Sequence, residues 1–261
     1  MTSARQAVHG LNLVQGSALR MDEVSSESVS LIVTSPPYFS EETRERLRQP
    51  ERAQTDFEVV SEDATAFALR LRPAFTEMAR SLRPGGHLVV QTKDLRYGGA
   101  LIPVSGLHRS MAEAAGFRLV TRVLWENAAE APHHGSRTRQ AKRLSENHIF
   151  RTVDTEDFWI FVKPGGPERR GEADSFDPNA IDDLVSPVWR ISTARSWHPE
   201  PSPPAVVDRL IRLLSQPEDL VLDPFAGSAT ILRIAKRLGR ETMGYEIDRA
   251  YWERALELTD E

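Results

Sequence analysis

The chain has 261 residues, of which 40% are hydrophobic and none is cysteine, and it carries a formal net charge of −5 at pH 7. This length suits a single α/β domain with a sizeable core, and the lack of cysteine excludes disulfides, thiolate metal sites and a cysteine nucleophile. No apolar run approaches the roughly 20 residues of a membrane span and the N-terminus has no signal-peptide pattern, so we expect a cytoplasmic protein.

Strands and amphipathic helices alternate along the chain. In chain order the sequence predicts a strand at 29–34, a helix at 64–82, a strand at 87–91, a helix at 105–115, strands at 118–125, 146–152 and 157–163, a helix at 204–215, a strand at 219–222, a helix at 228–238, a strand at 242–246 and a closing helix from 249. This alternation favours a mixed, mainly parallel sheet with helices on both faces.

Two stretches interrupt the alternation. Residues 126–145 and 164–202 are rich in Pro, Gly, Arg, Asp and Ser. We predict that they form long excursions from the sheet, because long loops in a compact domain are often functional.

A proline-rich motif, Thr34-Ser35-Pro36-Pro37-Tyr38-Phe39, directly follows the apolar run Val29–Val33. The two prolines lack N–H groups and keep the backbone extended, which leaves carbonyls free at the carboxyl end of a strand, where open α/β sheets place ligands. The Ser35 hydroxyl and the Pro36 carbonyl can accept the two hydrogens of an amino group, and the aromatic residue can stack on a flat ring. The alternative is a proline-stiffened turn with a core tyrosine.

A second motif, Asp223-Pro224-Phe225-Ala226-Gly227-Ser228, lies between an apolar strand and a helix, and Glu246 ends the next strand. This layout is typical of a nucleoside-binding half of a Rossmann-like fold, in which Gly227 lets the backbone approach a ligand and Glu246 accepts hydrogen bonds from a ribose. The turn lacks the spacing of phosphate-binding loops, so S-adenosylmethionine, which has no phosphate, fits it. The alternative is an ordinary strand–turn–helix connection with an unpaired surface glutamate.

Basic residues cluster in two stretches of this acidic chain. The first contains Arg44, Arg46, Arg48 and Arg52, and the second contains Arg137, Arg139, Lys142 and Arg143. Phosphate contact needs only a local positive face, so both clusters are candidates for DNA binding. The alternative is a pair of solvated charged surfaces, which the acidic neighbours of the first cluster favour.

The histidines do not predict a metal site. His133, His134 and His198 lack metal-ligand spacing, and neither cysteine nor a nearby carboxylate completes a ligand set. We interpret His133 and His134 as polar loop residues and expect no metal.

Together, the Ser-Pro-Pro-Tyr and Asp-Pro-Phe-Ala-Gly-Ser motifs resemble those of the DNA amino-methyltransferases. Because the proline motif comes first, the chain is similar to the β-class, a circular permutation of the usual order. The resemblance covers nearly the whole chain and implies one Rossmann-like α/β domain over residues 1–261, with a mixed sheet of seven or eight strands. It also implies that 126–145 and 164–202 contribute to target recognition and that a base of double-stranded DNA is flipped out before methylation.

The resemblance implies a role for each motif residue. The catalytic residues would be Ser35, Pro36, Pro37 and Tyr38, and the cofactor residues would be Thr34, His198, Asp223, Pro224, Phe225, Ala226, Gly227, Ser228, Glu246 and Ile247. The two basic clusters, and not the resemblance, predict DNA contacts from Arg44, Arg46, Arg48, Arg137, Arg139, Lys142 and Arg143.

The chain departs from the family pattern at two positions. Ser17 replaces the usual aspartate after Gly16, so the carboxylate that contacts the cofactor in the family is absent here, and Ala229 replaces a glycine, which we expect a helix start to tolerate. Pro84-Gly85-Gly86, Ser145-Glu146-Asn147-His148 and Trp197-His198-Pro199 resemble further family elements.

The target base is predicted from Ser35. Cytosine-N4 members of the family mostly carry serine here and adenine-N6 members mostly carry aspartate or asparagine, so we expect cytosine N4. Adenine N6, an RNA or protein-amide acceptor, and a DNA-binding protein without activity are the alternatives. The sequence leaves open whether the chain forms a homodimer or works beside a restriction endonuclease.

Overall fold

The computed structural model describes residues 4–8, 10–38, 65–67, 69–97, 100–127, 155–167, 171–172, 176–177, 179, 181–192 and 202–257. The strands are β1 (Ala4–Val8), β2 (Leu11–Gln15), β3 (Val29–Thr34), β4 (Leu82–Thr92), β5 (Leu95–Tyr97), β6 (Ala100–Ile102), β7 (Arg118–Glu126), β8 (Thr155–Val162), β9 (Val188–Arg190), β10 (Leu220–Asp223) and β11 (Glu241–Glu246). The helices are α1 (Arg72–Ser81), α2 (Val104–Ala114), α3 (Ile181–Val185), α4 (Pro204–Leu214), α5 (Thr230–Arg237) and α6 (Arg249–Glu257).

Among the described residues, nine strands form one mixed sheet in the order β1-β2-β11-β10-β3-β4-β8-β7-β9, and β5 pairs separately with β6. The five strands from β2 to β4 are parallel neighbours, whereas β1 is antiparallel to β2, and β8 is antiparallel to both β4 and β7. The predicted mixed α/β sheet is therefore confirmed. Short strands at the two edges, β1 and β9, raise the number above the seven or eight expected.

The apolar residues of β3 are divided between two separate cores, which explains why every residue of this strand is buried. Val29 and Ile32 pack into a cluster that contains apolar residues of α1 and α2, while Leu31 and Val33 pack into a cluster that contains those of α4 and α5. A strand covered on both faces needs an apolar residue at nearly every position. This explains why Ser30 is the only polar residue between Val29 and Val33 in the sequence.

Most predicted elements occur within a few residues of their expected positions. The predicted strand at 146–152 lies outside the described residues. The stretch 164–202 was expected to leave the sheet, yet β9 within it pairs in parallel with β7 and buries Trp189. The three residues of this strand are too few to show a period in the sequence.

The direction of the chain reverses between β10 and β3. From β10 the chain passes through α5 to β11 on one side, and from β3 it continues to β4 on the other. In open α/β sheets such a reversal leaves a crevice at the carboxyl ends of the strands, where ligands bind. Within the described ranges, no helix is long and apolar enough to cross a membrane.

Candidate active site

The two sequence motifs meet at this crevice. Thr34 ends β3 and Asp223 ends the neighbouring strand β10, and the Thr34 hydroxyl donates a hydrogen bond of 2.8 Å to Asp223 Oδ1. Both side chains are buried. The bond therefore links the start of the proline motif to the start of the glycine-containing turn.

The turn after β10 is held by backbone groups. The Phe225 N–H donates to Asp223 Oδ1 at 3.1 Å, the Ala226 N–H donates to the Tyr245 carbonyl at 2.8 Å, and Gly227 has a left-handed φ of 51°. Glycine adopts this conformation without the steric cost that a Cβ brings. The turn is thus fixed above the ends of β10 and β11.

Glu246 is part of this turn and is not an unpaired surface glutamate. Its Oε2 accepts the Gly227 N–H at 2.8 Å and its Oε1 accepts the Asp248 N–H at 2.7 Å. Each carboxylate oxygen has a second lone pair, so Glu246 can still accept from a diol. The neighbouring Ile247 is 69% exposed and offers an apolar surface beside it.

Burial alters the titration of both carboxyl groups. It raises the pKa of Asp223 to about 7, against the opposing effects of the hydrogen bonds from Thr34 and Phe225. Burial also raises the pKa of Glu246, while the bonds from Asp248 and Gly227 oppose that shift. Paired carboxyl groups with raised pKa values in a crevice are typical of a functional site.

The remaining residues of the turn are mostly covered. Pro224, Ala226 and Ser228 are buried and Phe225 is half-buried against the core. The Ser228 hydroxyl shares a hydrogen bond of 2.8 Å with Thr230 Oγ1 at the start of α5, and the Ser228 carbonyl accepts from Arg233. These contacts join the turn to the helix.

Ala229 has a left-handed backbone, with φ 57° and ψ 22°. We expected a helix start to tolerate alanine in place of glycine, but this conformation costs an alanine about 1–2 kcal/mol. Its methyl group is buried in a cluster with Leu232 and Trp252. Burial of a methyl group contributes about 0.8 kcal/mol, which offsets much of that cost.

Gly16 and Ser17 also lie at this edge of the sheet. The Gly16 N–H donates to the Glu246 carbonyl at 2.9 Å, and the Ser17 hydroxyl accepts the Leu19 N–H at 3.2 Å. This backbone hydrogen bond places Gly16 next to Glu246, at the end of β11. Ser17 uses its side chain to hold the following turn.

The proline motif packs closely. Ser35 is half-buried, Pro36 is buried and Pro37 is exposed, while Tyr38 is only 3% exposed. Ser35 Oγ and Tyr38 Oη share a hydrogen bond of 3.1 Å. The segment therefore has features of both interpretations of the sequence. It places the polar groups of Ser35 and Tyr38 together at the end of a strand, as a ligand site requires, and it packs Tyr38 like a core residue.

Residues that sequence reasoning missed surround Tyr38. The Lys93 ammonium lies 5.1 Å from the centre of the Tyr38 ring and 3.6 Å from Glu156 Oε1, and the His108 ring centre is 6.4 Å from that of Tyr38. His108 is fully buried, which lowers its pKa to about 4, and its Nδ1 lies 2.8 Å from the Thr92 hydroxyl. Thr92 and Lys93 lie at the carboxyl end of β4. A position at the end of a strand also identified Ser35 as a candidate, so the sequence contains a signal for these two residues.

Several predicted residues cannot be placed. Phe39, His133, His134, His198, the family-like segments 145–148 and 197–199 and all members of the two basic clusters, Arg44, Arg46, Arg48, Arg52, Arg137, Arg139, Lys142 and Arg143, lie outside the described residues. Among the residues that the structure describes, no group of three or more His, Cys, Asp or Glu side chains could hold a metal ion.

Comparisons with known proteins agree with this geometry. The family described as DNA methylase, of the N6/N4 methyltransferase type, matches residues 29–257. The type II methyltransferase M.MjaI of Methanocaldococcus jannaschii is 27% identical over 91% of this chain and 87% of its own length.

Two solved structures share the fold. TTHA0409 of Thermus thermophilus, in complex with S-adenosyl-L-methionine, has a TM-score of 0.69 at 24% identity over 92% of this chain and 89% of its own. The cytosine-N4-specific PvuII DNA methyltransferase has a TM-score of 0.70 at 20% identity over 97% of this chain and 88% of its own.

Proposed function

The chain belongs to the N6/N4 DNA methylase family, and from that premise we propose that it methylates the exocyclic N4 amino group of cytosine in double-stranded DNA. Membership makes it an amino-methyltransferase of DNA that uses S-adenosylmethionine. The base and the roles of individual residues are our proposal. They are supported by the geometry of the crevice.

The observation that carries the proposal is the bond between Thr34 and Asp223. It joins the ends of two neighbouring parallel strands, so the polar groups of the proline motif and the turn at 223–228 share one crevice. A methyl donor held by the turn and an acceptor held by Ser35 would therefore meet side by side. Positioning of two reactants contributes much of the rate of a direct transfer.

The chemistry of the turn suits S-adenosylmethionine. Glu246 retains lone pairs for the ribose hydroxyls and Ile247 provides an apolar surface for the adenine. When bound, the cofactor supplies a methyl group activated by its sulfonium. Thr34 and Asp223 are buried, so we propose that they act indirectly, by holding the turn at 223–228 in the conformation that binds the cofactor.

Ser35 and Pro36 would orient the acceptor. The Ser35 hydroxyl and the Pro36 carbonyl accept the two N–H groups of the amino group, which directs the nitrogen lone pair toward the methyl. These hydrogen bonds strengthen as the nitrogen gains positive charge. The base must leave the stack to reach this position.

Tyr38 is proposed to stack on the flipped ring. Its 3% exposure requires that a ring face be uncovered when the base enters. The Lys93 ammonium lies over the ring at the end of a flexible side chain, so its displacement would expose such a face. The energy of a cation–π contact is about 0.5–2 kcal/mol, which base stacking can replace.

DNA contacts remain assigned to the two basic clusters, and His198 remains a proposed cofactor residue. Target recognition is likewise assigned to 126–145 and 164–202. The names of type II relatives such as M.MjaI support a role beside a restriction endonuclease. Each of these assignments rests on the sequence.

The choice of cytosine rests on Ser35. A hydroxyl is small and neutral, and it can accept from the amino group while it donates elsewhere. Adenine N6 is the alternative within the same family, and RNA or a protein amide would be a different acceptor class.

The test is a methyl-transfer assay with tritiated S-adenosylmethionine and DNA, RNA or protein as acceptor, followed by mass spectrometry of the digested DNA. We expect label in DNA and N4-methylcytosine among the nucleosides. Ser35→Ala should lose most of the transfer yet still bind the cofactor, whereas Ser110→Ala, an exposed serine on α2, should retain it. N6-methyladenine in the digest would refute the choice of base, and label in RNA or protein alone would refute DNA as the acceptor.

A further inference from the structure

Ser35 and Tyr38 are connected through their hydroxyl groups. Ser35 Oγ lies 3.1 Å from Tyr38 Oη, and either oxygen can be the donor. Stacking on a base uses only the ring of an aromatic residue, so it does not require the hydroxyl of Tyr38. The hydrogen bond to Ser35 is therefore a second interaction of Tyr38, one that a phenylalanine could not make.

The Tyr38 hydroxyl is held in place by the packing of its ring. The Lys93 ammonium lies 5.1 Å from the ring centre, and Lys93 is itself 3.6 Å from Glu156 Oε1. Glu156 also accepts a hydrogen bond of 2.6 Å from Gln91 Nε2. The ring of the buried His108 packs at 6.4 Å, and this histidine shares a hydrogen bond with Thr92. When the base displaces Lys93, the contact with His108 remains, and it keeps the Tyr38 hydroxyl beside Ser35.

The direction of the Ser35 hydroxyl decides what it can do for an amino group. If Ser35 donates its hydrogen to Tyr38 Oη, both Oγ lone pairs are free to accept N–H groups. A hydroxyl that donates also becomes a better acceptor, because successive hydrogen bonds polarise one another. If instead the hydrogen of Ser35 pointed at the base, it would repel the amino hydrogens.

We propose that Tyr38 is a positioning residue, whose hydroxyl receives the Ser35 hydrogen and so directs the Ser35 lone pairs to the amino group. This role rests on the proposed function of Ser35 as the acceptor for that group. It holds for either target base, because cytosine and adenine present the same N–H donors.

The test compares Tyr38→Phe, Ser35→Ala and the double variant in steady-state transfer to unmethylated DNA of mixed sequence. Tyr38→Phe keeps the ring and is expected to lower kcat about two- to tenfold, the effect of one hydrogen bond, without changing KM for S-adenosylmethionine. In the Ser35→Ala background the same change should have no further effect on kcat, because the hydroxyl acts only through Ser35. Tyr251→Phe on α6 is the matched control and should behave as wild type.

Three results would overturn the proposal. They are an unchanged kcat in Tyr38→Phe, a Tyr38→Phe effect that persists in full in the Ser35→Ala background, and a loss that appears in KM for the cofactor alone.

If Tyr38→Phe unfolds at the assay temperature, 3-fluorotyrosine at position 38 replaces it. Fluorine makes the oxygen a poorer acceptor, so kcat should fall, and a rise would mean that Tyr38 is the donor. The methylated nucleoside that the wild-type enzyme produces is identified by mass spectrometry of digested DNA. That result tests the choice of base and does not depend on the coupling between Tyr38 and Ser35.

Discussion

Replacement of Asp223 by asparagine should change how the stability of the protein depends on pH. Asp223 is 1% exposed, and burial raises its pKa from 3.8 to about 7. The native state therefore keeps a proton on this group up to about pH 7, whereas the unfolded chain releases it near pH 4. Between these values the native state binds more protons, so the free energy of unfolding falls as the pH rises.

The magnitude follows from the shift. One pKa unit corresponds to about 1.4 kcal/mol. From pH 5 to pH 7 the native state keeps a proton that the unfolded chain has released, so the free energy of unfolding should fall by about 2–3 kcal/mol by pH 8. Asparagine cannot ionise, and its carbonyl can still accept from Thr34 and Phe225. The free energy of unfolding of Asp223→Asn should therefore rise by about 2–3 kcal/mol relative to wild type over this range.

The assay is urea denaturation of both proteins without cofactor at several values between pH 5 and pH 8. Thr34→Val is the companion variant. It removes a hydrogen bond to the carboxylate, worth about 1.5–3 kcal/mol, so the pKa of Asp223 should rise by about one to two units and the decline in stability should extend to higher pH. Parallel curves for wild type and Asp223→Asn would refute the assignment of a buried, protonated carboxyl group at this position.

The remaining predictions concern the cofactor, the DNA and the backbone. Glu246→Ala should weaken S-adenosylmethionine binding by roughly 1–3 kcal/mol, because the ribose loses its acceptor and Gly227 loses its own, and an unchanged affinity in calorimetry would contradict the assignment. Alanine at all four positions of the second basic cluster, Arg137, Arg139, Lys142 and Arg143, should lower the slope of DNA affinity against salt by about one for each phosphate that the variant no longer binds, and an unaltered slope would return these residues to a solvated surface. Glu218→Gly should stabilise the protein by about 0.5–1 kcal/mol, because Glu218 is exposed and has a φ of 68°, whereas Gly239→Ala at a φ of 78° should destabilise it. Thermal unfolding that shifts both variants in one direction would contradict this argument.

Several parts of the fold could be predicted because their signals are local. The apolar run of β3, the periodic apolar positions of α4 and α5, and the turn residues after β10 each specify an element within a few residues of sequence. The short strands β1, β2 and β9 were not predicted. Each has five residues or fewer, and what makes them strands is a partner elsewhere in the chain.

The surroundings of Tyr38 could be predicted only in part. The position of Lys93 and Thr92 at a strand end is visible in the sequence, but their contact with Tyr38 depends on β4 lying beside β3. His108 shows no signal at all, because a buried histidine on a helix resembles any core position. Which side chains surround the Tyr38 ring is a property of the packed domain.

By itself, the sequence determined the chemistry available to this protein. It contains a polar group followed by two prolines at one strand end, a glycine turn with a carboxylate partner at another, and no cysteine. Only the tertiary structure decided that these groups lie together, since Thr34 and Asp223 are 189 positions apart and meet through the order of strands in the sheet. The physical reason is that strand order is set by the burial of two apolar faces, a long-range requirement that no local pattern of residues expresses.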